Sequence, residues 1–241
     1  MTLYTRGIDL YKDNIGRVDL VQHMGSDLTI VNSARVSFGK HKTSLDEKDE
    51  KLISYLVKHK HTSTFEHNVI TFRFVVPLFV RSQHHRHRTW SYNEISRRYT
   101  DIDIRFYESE KFRSQHRSNR QASNTKDLND PVIKVPYGPS GYRGEASRVV
   151  KDWHKKSLDL YNSLIGAGVC REQARGVLPQ NMYTEYYGTC NLSNLLKFID
   201  LRTHEGAQWE IQKVAEACLE IAEELWPVSI AAYKRAKIIL T

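Results

Sequence analysis

The sequence predicts a single α/β domain, on three observations. Its 241 residues fit one domain and suffice for a substantial core. β-like runs and helical stripes interleave along the chain. Only one long stretch, about 108–144, is polar enough to interrupt that pattern.

The elements follow in order. Positions 17–30 carry short apolar runs divided by Gly25-Ser26-Asp27, which predicts a strand, a turn and the start of a helix. Positions 44–60 predict a helix. Leu52, Ile53, Leu56 and Val57 form its stripe, and Asp46, Glu47, Asp49 and Glu50 load its first turns with negative charge. Positions 68–76, with Val69, Ile70, Phe72, Phe74, Val75 and Val76, predict a strand. Pro77 suits the start of a helix, on which Phe79, Val80, Gln83, Arg86 and His87 share a face. An apolar face thus runs into a polar trio.

Positions 102–107 alternate as a strand, and 108–144 predict an inserted, mobile, basic segment. Positions 147–165 predict a helix ended by Gly166. A short helix over 170–178 is stopped by Pro179, and 182–189 form an aromatic-rich strand. Asn191 or Ser193 caps the next helix, whose Leu195, Phe198, Ile199 and Arg202 lie on one face. A guanidinium therefore ends an apolar stripe, and a partly buried arginine wants an anion or a dipole. Positions 207–225 form the most regular helix, and Pro227 opens a last one to about Leu240.

Composition narrows the partners. A formal net charge of +8 implies anions: nucleotides, nucleic acid or a membrane surface. No apolar run approaches a membrane span, and the polar stretch 1–14 has no signal-peptide core. Cys170, Cys190 and Cys218 are odd in number and lack CxxC spacing, which predicts free thiols and a cytoplasmic protein.

The densest chemistry lies in Arg86-His87-Arg88-Thr89-Trp90-Ser91-Tyr92-Asn93-Glu94-Ile95-Ser96-Arg97-Arg98. Positions 83–89 contain no aliphatic side chain. Such a segment is a solvated loop, or half of a site whose other half is negative. Its Arg-His-Arg, two residues, Ser, one, Asn-Glu, one, Ser, one, Arg resembles the signature of the flavin-dependent thymidylate synthases at every fixed position.

The resemblance extends from about Arg35 to Ile211, on both sides of the insertion. It implies one domain over 1–241 with a mixed sheet and surrounding helices, assembled as a homotetramer with shared active sites. The implied reaction is reductive methylation of dUMP to dTMP, with methylenetetrahydrofolate as carbon donor, NADPH as reductant and FAD as cofactor. By the same resemblance, Gln83, Arg86, Glu94, Ile95, Ser96, Arg97, Arg98, Arg175 and Arg202 bind the nucleotide. Arg175 enters through Ala174-Arg175 and Leu178-Pro179, which are similar to the family's Ala-Arg-x-x-Leu-Pro. Arg202 is the implied catalytic group, favouring the ionised, enolate-like uracil as an oxyanion donor does.

FAD falls to Arg86, His87, Arg88 and Glu94. It falls also to His61, Ser63 and Glu66 of a His-x-x-x-Phe-Glu-His segment, and to Asn191, Ser193 and Lys197. Ser193 and Lys197 depart from a common form of the family. Ser37, in an Arg-Val-Ser similar to one near the family's flavin, is either a further contact or a hydroxyl closing a local turn.

Other readings compete. His59, His61 and His67 with Glu66 invite a metal, yet no HxxxH or HExxH spacing is present, and a helix C-terminus explains the same residues. No metal is therefore expected. Ser96 has no Ser-His-Asp arrangement in the sequence and reads as a hydrogen-bonding group. The arginines with Trp90, Tyr92 and Tyr99 also suit single-stranded nucleic acid, without any RNP, KH or zinc-finger pattern. The expectation is small-molecule substrates, no stable nucleic acid and no membrane.

Overall fold

The computed structural model describes the chain from Arg6 to Leu240, apart from position 121 and positions 137–140, with side chains as far as Lys237. Part of the expected insertion and the first five residues of the polar N-terminal stretch therefore lie outside the described residues.

The strands are β1 (Arg6–Asp9), β2 (Arg17–Met24), β3 (Val69–Pro77), β4 (Ser91–Glu94), β5 (Phe112–Gln115), β6 (Ser123–Asn129), β7 (Val132–Val135), β8 (Tyr142–Glu145) and β9 (Tyr183–Asn191). The helices are α1 (Asp27–Arg35), α2 (Glu47–Lys58), α3 (Leu78–His84), α4 (Ala146–Gly166), α5 (Arg171–Ala174), α6 (Leu192–Arg202), α7 (Trp209–Leu225) and α8 (Pro227–Leu240). Five strands make the main sheet in the order β1-β2-β3-β9-β4.

Every pairing in that sheet is antiparallel, which corrects the mixed sheet expected from the sequence. A single crossover helix returns a chain for a parallel strand, whereas two helices, α1 and α2, separate β2 from β3. The fold is accordingly α+β.

Strand β3 is the centre. Ile70, Phe72, Phe74 and Val76 alternate onto one face and are fully buried. That face joins Leu195, Phe198 and Ile199 of α6 and Ile211, Val214 and Cys218 of α7 in one core. The opposite face carries polar pairs: Thr71 bonds Thr189 at 2.9 Å, and Arg73 bridges Asp19 and Glu185. Gly188 lies opposite Phe72, where a Cβ would stand 2.8 Å from the Phe74 ring and 3.3 Å from Trp90. Only glycine lets both aromatics close over the strand.

Asp27 ties the ends together. Its carboxylate accepts the backbone N–H groups of Val228 and Ser229 at 3.1 and 2.9 Å, capping α8 from α1. Asp46 caps α2 through the N–H groups of Lys48 and Asp49.

Three expectations are corrected. Positions 102–107 form no strand beyond one bridge from Phe106 to Met182. Ile102 is 75% exposed, Asp103 takes a left-handed φ of 53°, and the Ile102 carbonyl is taken by Arg97. The insertion folds into two hairpins, β5–β6 and β7–β8, despite its polarity. Backbone pairing supplies the ladders, and Arg113 anchors the first hairpin to buried Glu210. Helix α3 ends at His84 and does not carry Arg86 and His87. The chain turns there, with the His87 N–H bonding the His84 carbonyl at 2.9 Å.

Candidate active site

Helix α3 and the edge strand β4 position the first face of the site. Glu94 ends β4, accepting Arg81 Nε at 3.0 Å and Thr184 Oγ1 at 2.6 Å. The chain then turns, with the Ser96 carbonyl receiving the N–H groups of Tyr99 and Thr100. Glu94, Ile95, Ser96, Arg97 and Arg175 thereby line one cavity of about 510 Å³, with Arg81 and Leu78 from α3. Arg97 is buried. One nitrogen reaches the Ile102 carbonyl at 2.7 Å, while its Nε has no partner. Burial pulls its pKa down, against smaller opposite effects of Tyr161, Asp103 and Asp101. Arg98 stands outside this lining and pairs with Glu172 at 3.2 Å.

The second face is built by α6. Its buried stripe sinks Arg202 beside the turn after α3. Arg202 Nε donates to His87 Nε2 at 3.1 Å, and another guanidinium nitrogen donates to the Gln83 carbonyl at 3.1 Å. A guanidinium only donates, so His87 must be neutral with Nε2 as acceptor. Burial, and then Arg202, hold the His87 pKa down at about 4. The Arg202 pKa is itself lowered, by burial and then by Arg86. Among the described residues no carboxylate is ion-paired with Arg86, Arg88, Arg97, Arg175 or Arg202.

Beneath this turn lies an aromatic bed that the sequence reading missed. His84 is fully buried, bonded to the Tyr186 hydroxyl at 2.8 Å and packed by Phe74, Trp90 and Phe198. The Tyr92 hydroxyl donates to the carbonyls of His84 and His87 at 3.0 and 3.2 Å, fixing the loop from below. Gln208, which accepts from the Gln83 amide, was missed as well. The signal lay in the alternation of Trp90 and Tyr92 with polar residues into β4, read instead as a stacking surface. Trp90 is in fact buried and Tyr92 half-buried, leaving Tyr99 exposed.

The two faces lie on different sides of α3. Leu78 and Arg81 face the cavity, while Gln83 reaches Gln208. Residues 81 and 83 are roughly 200° apart around a helix.

A second cavity, of about 280 Å³, opens beside the start of α6 and is lined by Lys60, His61, Thr62, Ser193, Lys197, Asp200 and others. Asn191, not Ser193, caps the helix, accepting the Asn194 N–H at 2.9 Å. Ser193 is 4% exposed, and its hydroxyl has no partner. Ser63 and Glu66 lie on the exposed side of the neighbouring turn; Ser37, Arg86 and Arg88 are also exposed. Among the described residues no three His, Cys, Asp or Glu side chains converge as a metal site, and no helix is long and apolar enough to cross a membrane.

Comparison with known proteins agrees with these motifs. Residues 19–228 match the family model described as thymidylate synthase complementing protein. The chain is 42% identical over 219 residues to a flavin-dependent thymidylate synthase of Thermus thermophilus, covering 91% of this chain and 76% of that one. It is 39% identical over 218 residues to one from Kosmotoga olearia, covering 90% of each. Among solved structures, a UMP/dUMP methylase PolB from Streptomyces cacaoi bound with 5-Br dUMP superposes with a TM-score of 0.77 at 31% identity, over 95% of this chain and 97% of that one. The chain belongs to the flavin-dependent thymidylate synthase family, an enzyme family of the methyltransferase class.

Proposed function

We propose that this protein converts dUMP to dTMP, with methylenetetrahydrofolate as carbon donor, NADPH as reductant and FAD as cofactor. The observation that carries the reading is Arg202: a half-buried guanidinium held by an imidazole and a carbonyl, with no carboxylate to neutralise it. A cation set in this way is suited to an anion that arrives with the substrate. Beside uracil it favours the ionised, enolate-like ring, making C5 more nucleophilic. Neutral His87 keeps the guanidinium aimed without competing as a second cation.

Arg86 and Arg175 are uncommitted and suit the phosphate monoester, with bidentate charge-assisted bonds. Arg98 joins them by exchanging Glu172 for the ligand. Glu94, Ile95, Ser96 and Arg97 form the wall against which the nucleotide is oriented. Because the Arg202 face and the Glu94–Arg97 face lie on different sides of α3, one nucleotide meets both when a second copy supplies the missing face. A homotetramer with shared sites meets that need.

The residues around the second cavity fit a flavin dinucleotide. Lys60 and Lys197 are cationic, Asp200 in the same lining is engaged by Tyr233 and Lys237, the Ser193 hydroxyl is buried and unpartnered, and the α6 N-terminus favours negative charge. His61, Ser63, Glu66, Asn191, Ser193 and Lys197 would hold it, with Ser37, Arg86, His87, Arg88 and Glu94 contributing. When bound, the flavin supplies the electrons and hydrogen that turn the transferred methylene into a methyl. No thiol is used in this reading: burial raises the pKa of Cys190 and Cys218 well above the usual thiol range, disfavouring thiolate.

The test is direct. Purified protein, supplied with FAD, dUMP, methylenetetrahydrofolate and NADPH, forms dTMP, with UMP assayed in parallel as the competing pyrimidine. Arg202→Ala abolishes product while FAD absorption is retained. Turnover within a few-fold of the parent removes Arg202 from this role, and failure to take up either FAD or dUMP ends the proposal.

A further inference from the structure

The insertion reaches the site through a chain of hydrogen bonds. Glu210, in the first turn of α7, is 3% exposed. A carboxylate buried so fully needs donors. It has three: Arg113 of the first hairpin at 2.7 and 2.9 Å, the Tyr107 hydroxyl at 3.2 Å and Gln208 Nε2 at 2.9 Å. Arg113 is held in turn by Ser123 Oγ across the hairpin at 2.9 Å and lies over the Trp209 ring. Beyond Gln208, its Oε1 accepts the amide nitrogen of Gln83.

Chemistry gives this chain a direction. An ionised carboxylate accepts and never donates, so the nitrogen of the Gln208 amide faces Glu210. Its oxygen is then the end that faces Gln83. Gln83 must answer with nitrogen, which leaves its own Oε1 and one N–H uncommitted. The Gln83 backbone is fixed independently, because Arg202 donates to its carbonyl at 3.1 Å. Gln83 is thus held at both ends, its side chain by Gln208 at the start of α7 and its carbonyl by Arg202 at the end of α6.

We propose that Gln208 and Glu210 are positioning residues that set the polarity of the Gln83 amide toward the nucleotide, and that the β5–β6 hairpin anchors them through Arg113. Gln83 then offers its oxygen to an N–H or O–H donor of the substrate, and the phosphate is left to the guanidiniums. The inference rests on the proposed role of Gln83 in binding dUMP. It gives the hairpin a part in the site without contact with the ligand.

A double-mutant cycle tests it in the full-length, FAD-loaded enzyme. Gln208→Met keeps the side-chain length and removes the amide. It raises KM for dUMP roughly 3- to 10-fold, the value of one neutral hydrogen bond, with kcat within about twofold. Gln83→Met raises KM at least as much. The double variant is no worse than Gln83→Met alone, because Gln208 acts only through Gln83. Glu210→Gln removes the acceptor-only anchor and follows the same pattern, so the cycle stands even if one variant fails to fold. Unchanged KM in Gln208→Met, or penalties that add in the double variant, overturn the proposal. Unchanged KM in Gln83→Met overturns its premise instead, and with it the placement of Gln83 in the nucleotide site.

Discussion

Arg73 and Arg202 are both half-buried guanidiniums, and they serve opposite ends. Arg73 lies mid-sheet, clamped by Asp19 at 2.7 Å and by Glu185 at 2.6 and 2.7 Å. Burial alone would lower its pKa, but the two carboxylates outweigh burial and raise it. Arg202 ends α6 with His87 and a carbonyl for partners, so burial prevails and its pKa falls. The same contrast runs through the molecule. Arg35 with Asp49, and Arg113 with Glu210, hold elements together. Arg86, Arg97, Arg175 and Arg202 stand without ion-paired carboxylates among the described residues, and they cluster near the signature segment. A cation with an internal anion is part of the fold; in the proposed reading, the cations without one, exposed Arg86 and Arg175 as well as buried Arg97 and half-buried Arg202, await a ligand.

The contrast is broken most severely by exchanging the losses. Arg202→Ala should lower dTMP formation by about 10²- to 10³-fold or more, the effect of removing one donor from an oxyanion site, with little change in melting temperature. Arg73→Met should do the reverse. It leaves buried Asp19 to Arg17 alone and Glu185 without its partner, and should cost about 2 kcal/mol of stability by urea denaturation, the value of charge-assisted hydrogen bonds, while the folded fraction keeps its turnover. If Arg73→Met abolished turnover in folded enzyme, or Arg202→Ala chiefly unfolded it, the division between the two classes would fail.

Titration sharpens the comparison at intermediate effect. His87 has a pKa of about 4 when folded, against an ordinary value of about 6.5. Between those values the unfolded chain binds a proton that the folded one does not, so stability falls as pH drops from about 6.5 to about 4 and levels below. His84 and His85 are lowered too, and act with the same sign. Denaturation midpoints across that window should therefore decline less steeply in His87→Asn than in the parent. Equal slopes would mean that burial and Arg202 do not hold the His87 pKa down. The smallest effect belongs to Cys190→Ala, which should leave turnover within a few-fold; complete loss would reinstate a thiol nucleophile.

Much of this was legible in the sequence. The stripe ending in Arg202 predicted a partly buried guanidinium, and α6 delivers it. The signature segment predicted a crowd of cations awaiting an anion, and five of the expected nucleotide residues line one cavity. The 3.6-residue stripes located α2, α4 and α7 within a few residues. Misreadings came where local pattern and tertiary partner disagreed. Ile102 to Tyr107 alternates like a strand, but the main sheet gives it only the Phe106 bridge. The insertion looked structureless because it is almost without apolar residues up to Pro131, whereas its hairpins pair with themselves and the first is pinned by one buried carboxylate. His84 to His87 read as uniformly polar, yet His84 lies at the bottom of an aromatic bed and Arg86 is exposed above it.

By itself the sequence determined most of the helices and the strands of the main sheet's centre, and which family the chemistry resembles, because periodicity and motif are local properties. Tertiary structure alone decided the antiparallel order of the sheet, the two-sided arrangement around α3 and the Gln83–Gln208–Glu210–Arg113 chain. Each of these depends on which distant partner a polar group finds when water is excluded, and residue spacing along the chain does not encode that distance.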